Sequence, residues 1–402
     1  MTLDVGFARG HFPALDCDWA LMDNAGGSVP LDGVVDRVAD YMRTRMVQVG
    51  ASYPLSVDAR VAVAAGKSAA AELVNAADDE IVIGANTTSN LRVLAAALRP
   101  LWQPGDEVVV TNLDHESNIG PWRQLEAAGI RIREWQVDPD SLHLRPQDLE
   151  PLLNDRTRLV AYTHCSNLVG TVHDAREINR MVHAAGALTC VDGVAFAPHR
   201  QVDVRELEAD FYLVSLYKTF GPHIGLMFGR REQLARAHSQ NHYFIGPEAG
   251  PYRFEPGNPN HELTAALPAI PDYLRELSRV SGGDGSLASA FALITAHETR
   301  ISQPLLDFLA EASTVRLLGD PVAGPTRVPT IAFTVAGVDS ATVSQQLEQN
   351  RIAARYGHFY AYRAARDLGV LEGNGVVRIS LAHYNTAAEV AHLIDALGRI
   401  IA

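Results

Sequence analysis

Between about residues 80 and 230, short β-rich runs alternate with stretches of helical period, and no other feature of the chain restricts its architecture as much. The strand-like runs fall at 80–84, 107–111, 130–137, 158–163, 188–192, 211–215 and 225–228, with helix-like segments at 90–97, 120–128, 175–185 and 204–208 between them. Gly129 and Gly186 close two of those segments, as glycine does at helix C-termini. Such alternation predicts a mostly parallel sheet covered by helices, with functional residues at the carboxyl ends of the strands. The clearest break in composition is Ser281-Gly282-Gly283-Asp284-Gly285-Ser286. Beyond it, a long helix-like stretch precedes strand-like runs at 330–335 and 376–381 and helix-like ones at 340–349 and 386–401, which predicts a smaller α+β domain. The chain is accordingly divided into a large domain at 20–280 and a small domain made of 1–19 and 281–402.

The 402 residues are 47% hydrophobic and 20% charged, an ordinary globular composition long enough for two or three folding units. A formal charge of −13 sets the overall field against phosphate backbones and anionic lipids, so nucleic acid and membrane are not expected partners. No run approaches the roughly 18 uncharged apolar residues of a membrane span. Cys17, Cys165 and Cys190 are odd in number, widely spaced and outside any CxxC pair, which suits reduced thiols and a cytoplasmic location. Of 34 basic residues only Lys67 and Lys218 are lysines, so each survivor is informative.

Lys218 follows an apolar strand-like run and precedes Gly221-Pro222, a placement that puts it in a crevice. A lysine amine can be desolvated, lose its proton and attack a carbonyl, which a guanidinium essentially cannot do. The plainer reading is a surface loop lysine; Schiff-base chemistry is favoured by the strand-end context. Lys67, inside an alanine-rich helical stretch at 61–74, reads as a solvated helix face. Asp192 ends another apolar run, 26 residues before Lys218. Alone it reads as a loop cap, but paired with the lysine it matches the needs of pyridoxal phosphate: an amine for the cofactor aldehyde and a carboxylate for the ring nitrogen. The turn Gly84-Ala85-Asn86-Thr87-Thr88-Ser89-Asn90 offers amides and hydroxyls at a helix N-terminus, suited to a phosphate or simply to N-capping. His238 and His242 have the spacing of a helical metal pair, yet no third ligand is evident and no metal is assigned.

The order of motifs resembles the cysteine desulfurase branch of the class V aminotransferases, pyridoxal-phosphate enzymes of fold type I, over nearly the whole chain. The matching stretches are Leu21-Met22-Asp23-Asn24-Ala25-Gly26, Asn86-Thr87-Thr88, Asp114-His115-Glu116-Ser117-Asn118 with Pro121-Trp122, Ser166-Asn167-Leu168-Val169-Gly170, Asp192-Gly193, Lys218, Phe254-Glu255-Pro256-Gly257-Asn258-Pro259-Asn260, and Arg378-Ile379-Ser380-Leu381 with Tyr384-Asn385-Thr386. The resemblance implies a seven-stranded, mostly parallel sheet in the large domain. It implies that Lys218 carries the Schiff base and general acid/base work, that Asp192 meets the pyridine nitrogen, and that His115 stacks on the cofactor ring. Thr88, with the amide of Thr87, and Ser215 would hold the phosphate, while Asn167 would lie near the cofactor hydroxyl and the substrate carboxylate. Arg378 would clamp that carboxylate, with Arg355 and Tyr360 at the substrate mouth. Gly257-Asn258 would complete a neighbouring subunit's phosphate site, which implies a homodimer. From the residues alone, His115 also reads as a core or capping histidine, and Arg378 as a surface ion pair.

Departures from the family pattern redirect the expected reaction. Where the desulfurases place a nucleophilic cysteine, this chain reads Arg355-Tyr356-Gly357-His358-Phe359-Tyr360-Ala361, with tyrosine at the cysteine position. A phenol cannot supply a persulfide. Cys165 and Cys190 read as strand packing residues beside the cofactor motifs. Ala195, Tyr217, Glu116 and Asn258 stand where the family usually has glutamine, histidine, histidine and threonine. The expectation is a related enzyme acting on an α-amino acid, by β-elimination of the C–S lyase type without an enzyme thiol. Transamination and racemisation remain open because all three pass through one carbanion, and a weakly catalytic binding or partner protein is the alternative from another class.

Overall fold

The computed structural model describes residues 2–401. Its main sheet contains all seven expected strands, in the order Ile81–Gly84, Gly225–Gly229, Phe211–Ser215, Leu188–Asp192, Thr157–Thr163, Glu107–Thr111 and Arg131–Trp135. Gly225–Gly229 alone runs opposite to the other six. Three of the strands, Glu107–Thr111, Phe211–Ser215 and Gly225–Gly229, are buried at every position, and Leu188–Asp192 at all but its first, as expected where helices cover both faces. A second sheet of four antiparallel strands is ordered Arg355–Gly357, Val376–Ser380, Thr330–Val335 and Val315–Leu318. Its buried face packs on Leu287–Glu311 and Ala387–Ile401 through Leu305, Leu309, Phe333 and Leu393.

The division at residues 20 and 281 stays a proposal, and packing at the N-terminus bears on its edge. Leu3, Ala8, Phe12 and Leu15 belong to the core cluster that contains the main-sheet strands, whereas Ala20–Leu21 pair in parallel with Ile352–Ala353 and bury Met22 beside the second sheet.

Several local expectations are corrected. Residues 204–208 form turns rather than a helix: the Asp203 carboxylate accepts from the amides of Arg205 and Glu206, both at 2.9 Å, and Glu208 has φ +57°. Residues 120–128 split into one α-turn, Gly120–Arg123, and a 3₁₀ segment, Gln124–Ala128. His238 and His242 follow the end of helix Arg231–Arg236 and share no helix face. Lys67 is not a solvated lysine: its Nζ lies 2.8 Å from both oxygens of the buried Glu255, whose Oε1 also accepts from Ile83 N at 2.8 Å. The bare periodicity of an alanine-rich helix carries no sign of a carboxylate arriving from 188 residues away.

Candidate active site

Lys218 ends the single turn Leu216–Lys218 that follows strand Phe211–Ser215, and it is 8% exposed. Both Thr219 N and Gly221 N donate to Leu216 O, which curls the chain and leaves the side chain in the crevice at the strand's carboxyl end. Burial, with the Arg378 charge in support, lowers the amine to about 8, against the opposing pull of Asp192 and Asp23. On the order of a tenth of the amine is therefore neutral at pH 7, far more than for a free lysine. Asp192 ends the adjacent parallel strand and is itself buried, with Val194 N donating to Oδ1 at 2.9 Å. Burial raises its pKa while that amide and Lys218 work against the rise.

The small-polar turn does open a helix, Thr87–Leu98, capped by Asn86, whose Oδ1 accepts from Ser89 N at 2.8 Å. Gly225 makes room for it: a Cβ there would sit 2.5 Å from Asn86 C and 2.6 Å from Thr87 N. The turn thus presses on the sheet with its amides and hydroxyls at the positive end of a three-turn helix, an arrangement that suits a phosphate. Thr87 Oγ1 lies 2.7 Å from Ser215 Oγ, which ties the turn to the strand leading to Lys218.

Thr88 Oγ1 is 2.8 Å from Ser117 Oγ, and that hydroxyl is 2.7 Å from His115 Nδ1. Because Ser117 N also donates to Nδ1, at 3.1 Å, the ring proton sits on Nε2. Burial, then the charges of Lys218 and Arg378, push His115 down to about 3, so it presents a neutral flat ring at any working pH. Ser117 was not singled out from the sequence, although its place two residues beyond the histidine is the usual spacing for such a contact.

Arg378, on strand Val376–Ser380, is 2% exposed. Its Nη1 donates to Asn167 O at 3.0 Å and its Nη2 to Asp23 Oδ1 at 2.8 Å, while the Phe359 ring lies 3.7 Å from the guanidinium carbon. Asn167 Nδ2 donates to Phe359 O at 2.8 Å, and Glu116 N to Tyr360 O at 2.8 Å. Phe359 and Tyr360 both have left-handed backbones, φ +49° and +59°, a costly pair held by these anchors. Arg355 and Tyr360 are exposed, and the Tyr360 ring stands 5.2 Å from that of His115.

One cavity is bordered by Thr87, Thr88, His115, Asp192, Ser215 and Lys218, together with Asn167. Arg378, Arg355 and Tyr360 adjoin it through Asn167, Asp23 and His115. Asn258 does not converge with them: it is exposed, accepts from Tyr252 OH at 2.9 Å, and borders a separate pocket behind the Gly84–Asn90 turn. Cys165 departs from the expectation of a strand packing residue, because it lies in the loop after strand Thr157–Thr163 and borders the cavity. Burial pushes its thiol up to about 12, so it is no thiolate. Asp23 and Phe359 were not assigned roles from sequence; their contacts with Arg378 join segments far apart in the chain.

The donor set fits pyridoxal phosphate: an amine of lowered pKa, a buried carboxylate beside it, a flat neutral imidazole, and hydroxyls at a helix N-terminus. Among the described residues no group of three or more histidine, cysteine, aspartate or glutamate side chains is placed to hold a metal.

Comparison with known proteins agrees with this geometry. The family model described as aminotransferase class-V matches residues 20–393. An aminotransferase-like protein of Gibberella zeae is 39% identical over 402 residues, covering 98% of this chain and 97% of its own. A cysteine desulfurase-like protein of Aspergillus flavus is 34% identical over 412 residues, covering 100% of this chain and 91% of its own. The apo structure of the cysteine desulfurase from Thermococcus onnurineus NA1 superposes with a TM-score of 0.88 at 25% identity, over 100% of this chain and 98% of that one. The mostly parallel seven-stranded sheet with its helices is the fold type I arrangement expected from the sequence. The chain belongs to the class V aminotransferases and is a pyridoxal-phosphate-dependent enzyme.

Proposed function

We propose that the enzyme catalyses β-elimination from a small α-amino acid carrying a leaving group such as a thiol on Cβ, without a persulfide cysteine. The observation that supports this reading is Tyr360, a phenol whose ring stands 5.2 Å from that of His115 on the turn to which the sequence resemblance assigns the desulfurase thiol, while the buried Cys165 and Cys190 have thiols raised far from ionisation. The net conversion takes the amino acid and water to free thiol, pyruvate and ammonium.

When bound, the cofactor supplies an electron sink for the pair released on breaking the Cα–H bond. Lys218 Nζ, lowered to about 8, takes that proton and returns one later. Asp192 provides the negative charge for a protonated ring nitrogen, and neutral His115 a face to stack against. Thr87, Thr88 and Ser215 hold the phosphate, and Asn167 lies beside the cofactor hydroxyl. Arg378 receives the α-carboxylate, with Arg355 and Tyr360 bounding the mouth.

The proposal extends to a homodimer in which Asn258 serves the neighbouring subunit. Support comes from exposed apolar side chains on helices Asp32–Thr44 and Pro54–Leu73, among them Val35, Met42, Leu55 and Val61, and from the exposed Tyr243 and Phe244 near the Asn258 loop. Three unpaired cysteines accord with a reducing, cytoplasmic setting. Transamination is the second reading, favoured by the name of the Gibberella zeae relative.

Titrating the holoenzyme with a panel of amino acids, including cystine and cysteine sulfinate, separates the two. Catalytic release of pyruvate and ammonia with recovery of the cofactor's visible band supports elimination. Stoichiometric loss of that band to an amine form, with an oxoacid product, overturns elimination in favour of transamination.

A further inference from the structure

Arg378 is meant, on the reading above, to grip a substrate carboxylate, yet both of its terminal nitrogens already donate. Nη1 is held by Asn167 O and Nη2 by Asp23 Oδ1, Nε is buried with no partner, and Phe359 covers one face of the guanidinium. A carboxylate is bound best by two parallel N–H groups, and either pair a guanidinium can offer, Nε with Nη2 or Nη1 with Nη2, includes the nitrogen that Asp23 holds. The group in the way is itself a carboxylate. Asp23 Oδ1 stands 2.8 Å from Arg378 Nη2, and Oδ2 stands 3.5 Å from Nη1 of the exposed Arg355. The space it fills is kept by Gly26, where a Cβ would meet Asp23 Oδ2 at 2.9 Å and Oδ1 at 3.1 Å. The Asp23 side chain retains 22% of its exposure, so solvent and ligand reach it, whereas Arg378 retains 2%.

The charges make the arrangement purposeful. An uncompensated buried guanidinium is costly, so the empty enzyme needs an anion on Arg378. Two arginines against one aspartate leave the cluster with one positive charge, and one incoming carboxylate brings it to neutrality. Arg355 offers Asp23 a second cation to rest on once Arg378 is taken.

We propose that Asp23 is the resident carboxylate of the substrate clamp: it occupies Arg378 in the free enzyme, yields that arginine to the α-carboxylate of the amino acid, and stays on Arg355 until product leaves. This rests on the assignment of Arg378 as the carboxylate site. It adds that binding is an exchange between two carboxylates rather than entry into a vacant fork. The same residue also acts on the catalytic amine, since Asp23 raises Lys218 and Arg378 lowers it.

The test uses holoenzyme and propionate, an unreactive carboxylate, titrated by calorimetry, with the pH midpoint of the cofactor's visible band as a second readout. Asp23→Asn keeps the size of the side chain and its acceptor oxygen but removes the competing charge, so propionate binds at least about tenfold tighter, the scale of one hydrogen bond to a charged group. The pH midpoint moves down, because a negative charge that favours a proton on Lys218 Nζ is gone. Arg355→Gln, an exposed substitution that spares the fold, takes away Asp23's resting place, and propionate binds more weakly. Unchanged or weaker binding in Asp23→Asn, or unchanged binding in Arg355→Gln, overturns the exchange and leaves Asp23 as a fixed orienting contact. If Arg378→Gln binds propionate as well as the unmodified enzyme, the carboxylate clamp itself is misassigned, whatever Asp23 does.

Discussion

Replacing Phe359 with leucine isolates what one ring contributes to the grip of Arg378. The ring centroid lies 3.7 Å from the guanidinium carbon of Arg378 and 5.6 Å from that of Arg355. Phe359 is 7% exposed and Arg378 2%, so the contact is desolvated and belongs at the strong end of the cation–π range, about 2 kcal/mol. Leucine keeps the apolar bulk and an unbranched Cβ, so the left-handed backbone at φ +49° costs as much after the change as before. Asn167 Nδ2 donates to the carbonyl of residue 359, which the substitution leaves in place. What disappears is the electrostatic hold that fixes the plane of the guanidinium. At about 1.4 kcal/mol per tenfold, KM for the amino-acid substrate rises about 30-fold. The value of kcat changes less than about threefold, since Lys218 and Asp192 are untouched. Steady-state kinetics and propionate inhibition should move together, and urea unfolding should show a loss on the order of 2 kcal/mol, because the contact is already made in the free enzyme. An unchanged KM, or a loss confined to kcat, would refute the idea that the ring holds the carboxylate site.

Two predictions concern pH. Lys218 titrates near 8 in the folded chain and near 10.5 when unfolded, so its ammonium destabilises the cofactor-free protein below pH 8 and the cost fades as pH rises to 10.5. Lys218→Met should therefore stabilise the cofactor-free chain by on the order of 3 kcal/mol at pH 7 and by nothing near pH 10.5 in urea unfolding, while abolishing the covalent cofactor band. Burial holds His115, His164 and His383 at about 3 and His173 at about 4, so each contributes stability that is complete above pH 6.5 and lost as pH falls. Asp114, pushed up to about 8, and Asp192, also raised, oppose this, but the histidines outnumber them, so unfolding takes up protons on balance and stability falls as pH drops below 6.5. A Tm that stays constant from pH 6.5 to 4.5 contradicts the buried neutral histidines.

The convergence of Lys218 and Asp192 was legible in the sequence because Asp192 ends one apolar strand and Lys218 the turn just after its neighbour, and in a parallel sheet that position puts a side chain in the crevice. The Gly84–Asn90 turn at a helix N-terminus was legible for a similar reason, since its small polar residues sit where a strand gives way to a helix. The arginine clamp was only half legible. Arg378 came from a motif, but its partner Asp23 lies 355 residues earlier, and which oxygen meets which nitrogen depends on the register between the second sheet and the first turn of the chain. Lys67 misled for the same reason, because its carboxylate is supplied by a loop from elsewhere in the chain. Local period reports which face is apolar, not which buried charge a distant loop brings to it.

The turn that carries Tyr360 explains how a site can change its chemistry while its frame stays put. It is anchored by backbone carbonyls: Asn167 Nδ2 reaches Phe359 O and Glu116 N reaches Tyr360 O, each at 2.8 Å. Every residue type offers that carbonyl, so the position of the turn does not depend on the side chain at 360, which is 64% exposed. The backbone penalty at φ +59° is likewise common to all unbranched side chains. Tyr360→Cys should then fold with a stability change within about 1 kcal/mol. Its introduced thiol should react with an aromatic disulfide as fast as the exposed Cys17, giving two fast thiols in place of one, while the buried Cys165 and Cys190 react only on unfolding. If the variant unfolds, or if its new thiol is protected, the tyrosine side chain is itself what holds the turn, and exchange of chemistry at this position cannot be separated from the fold.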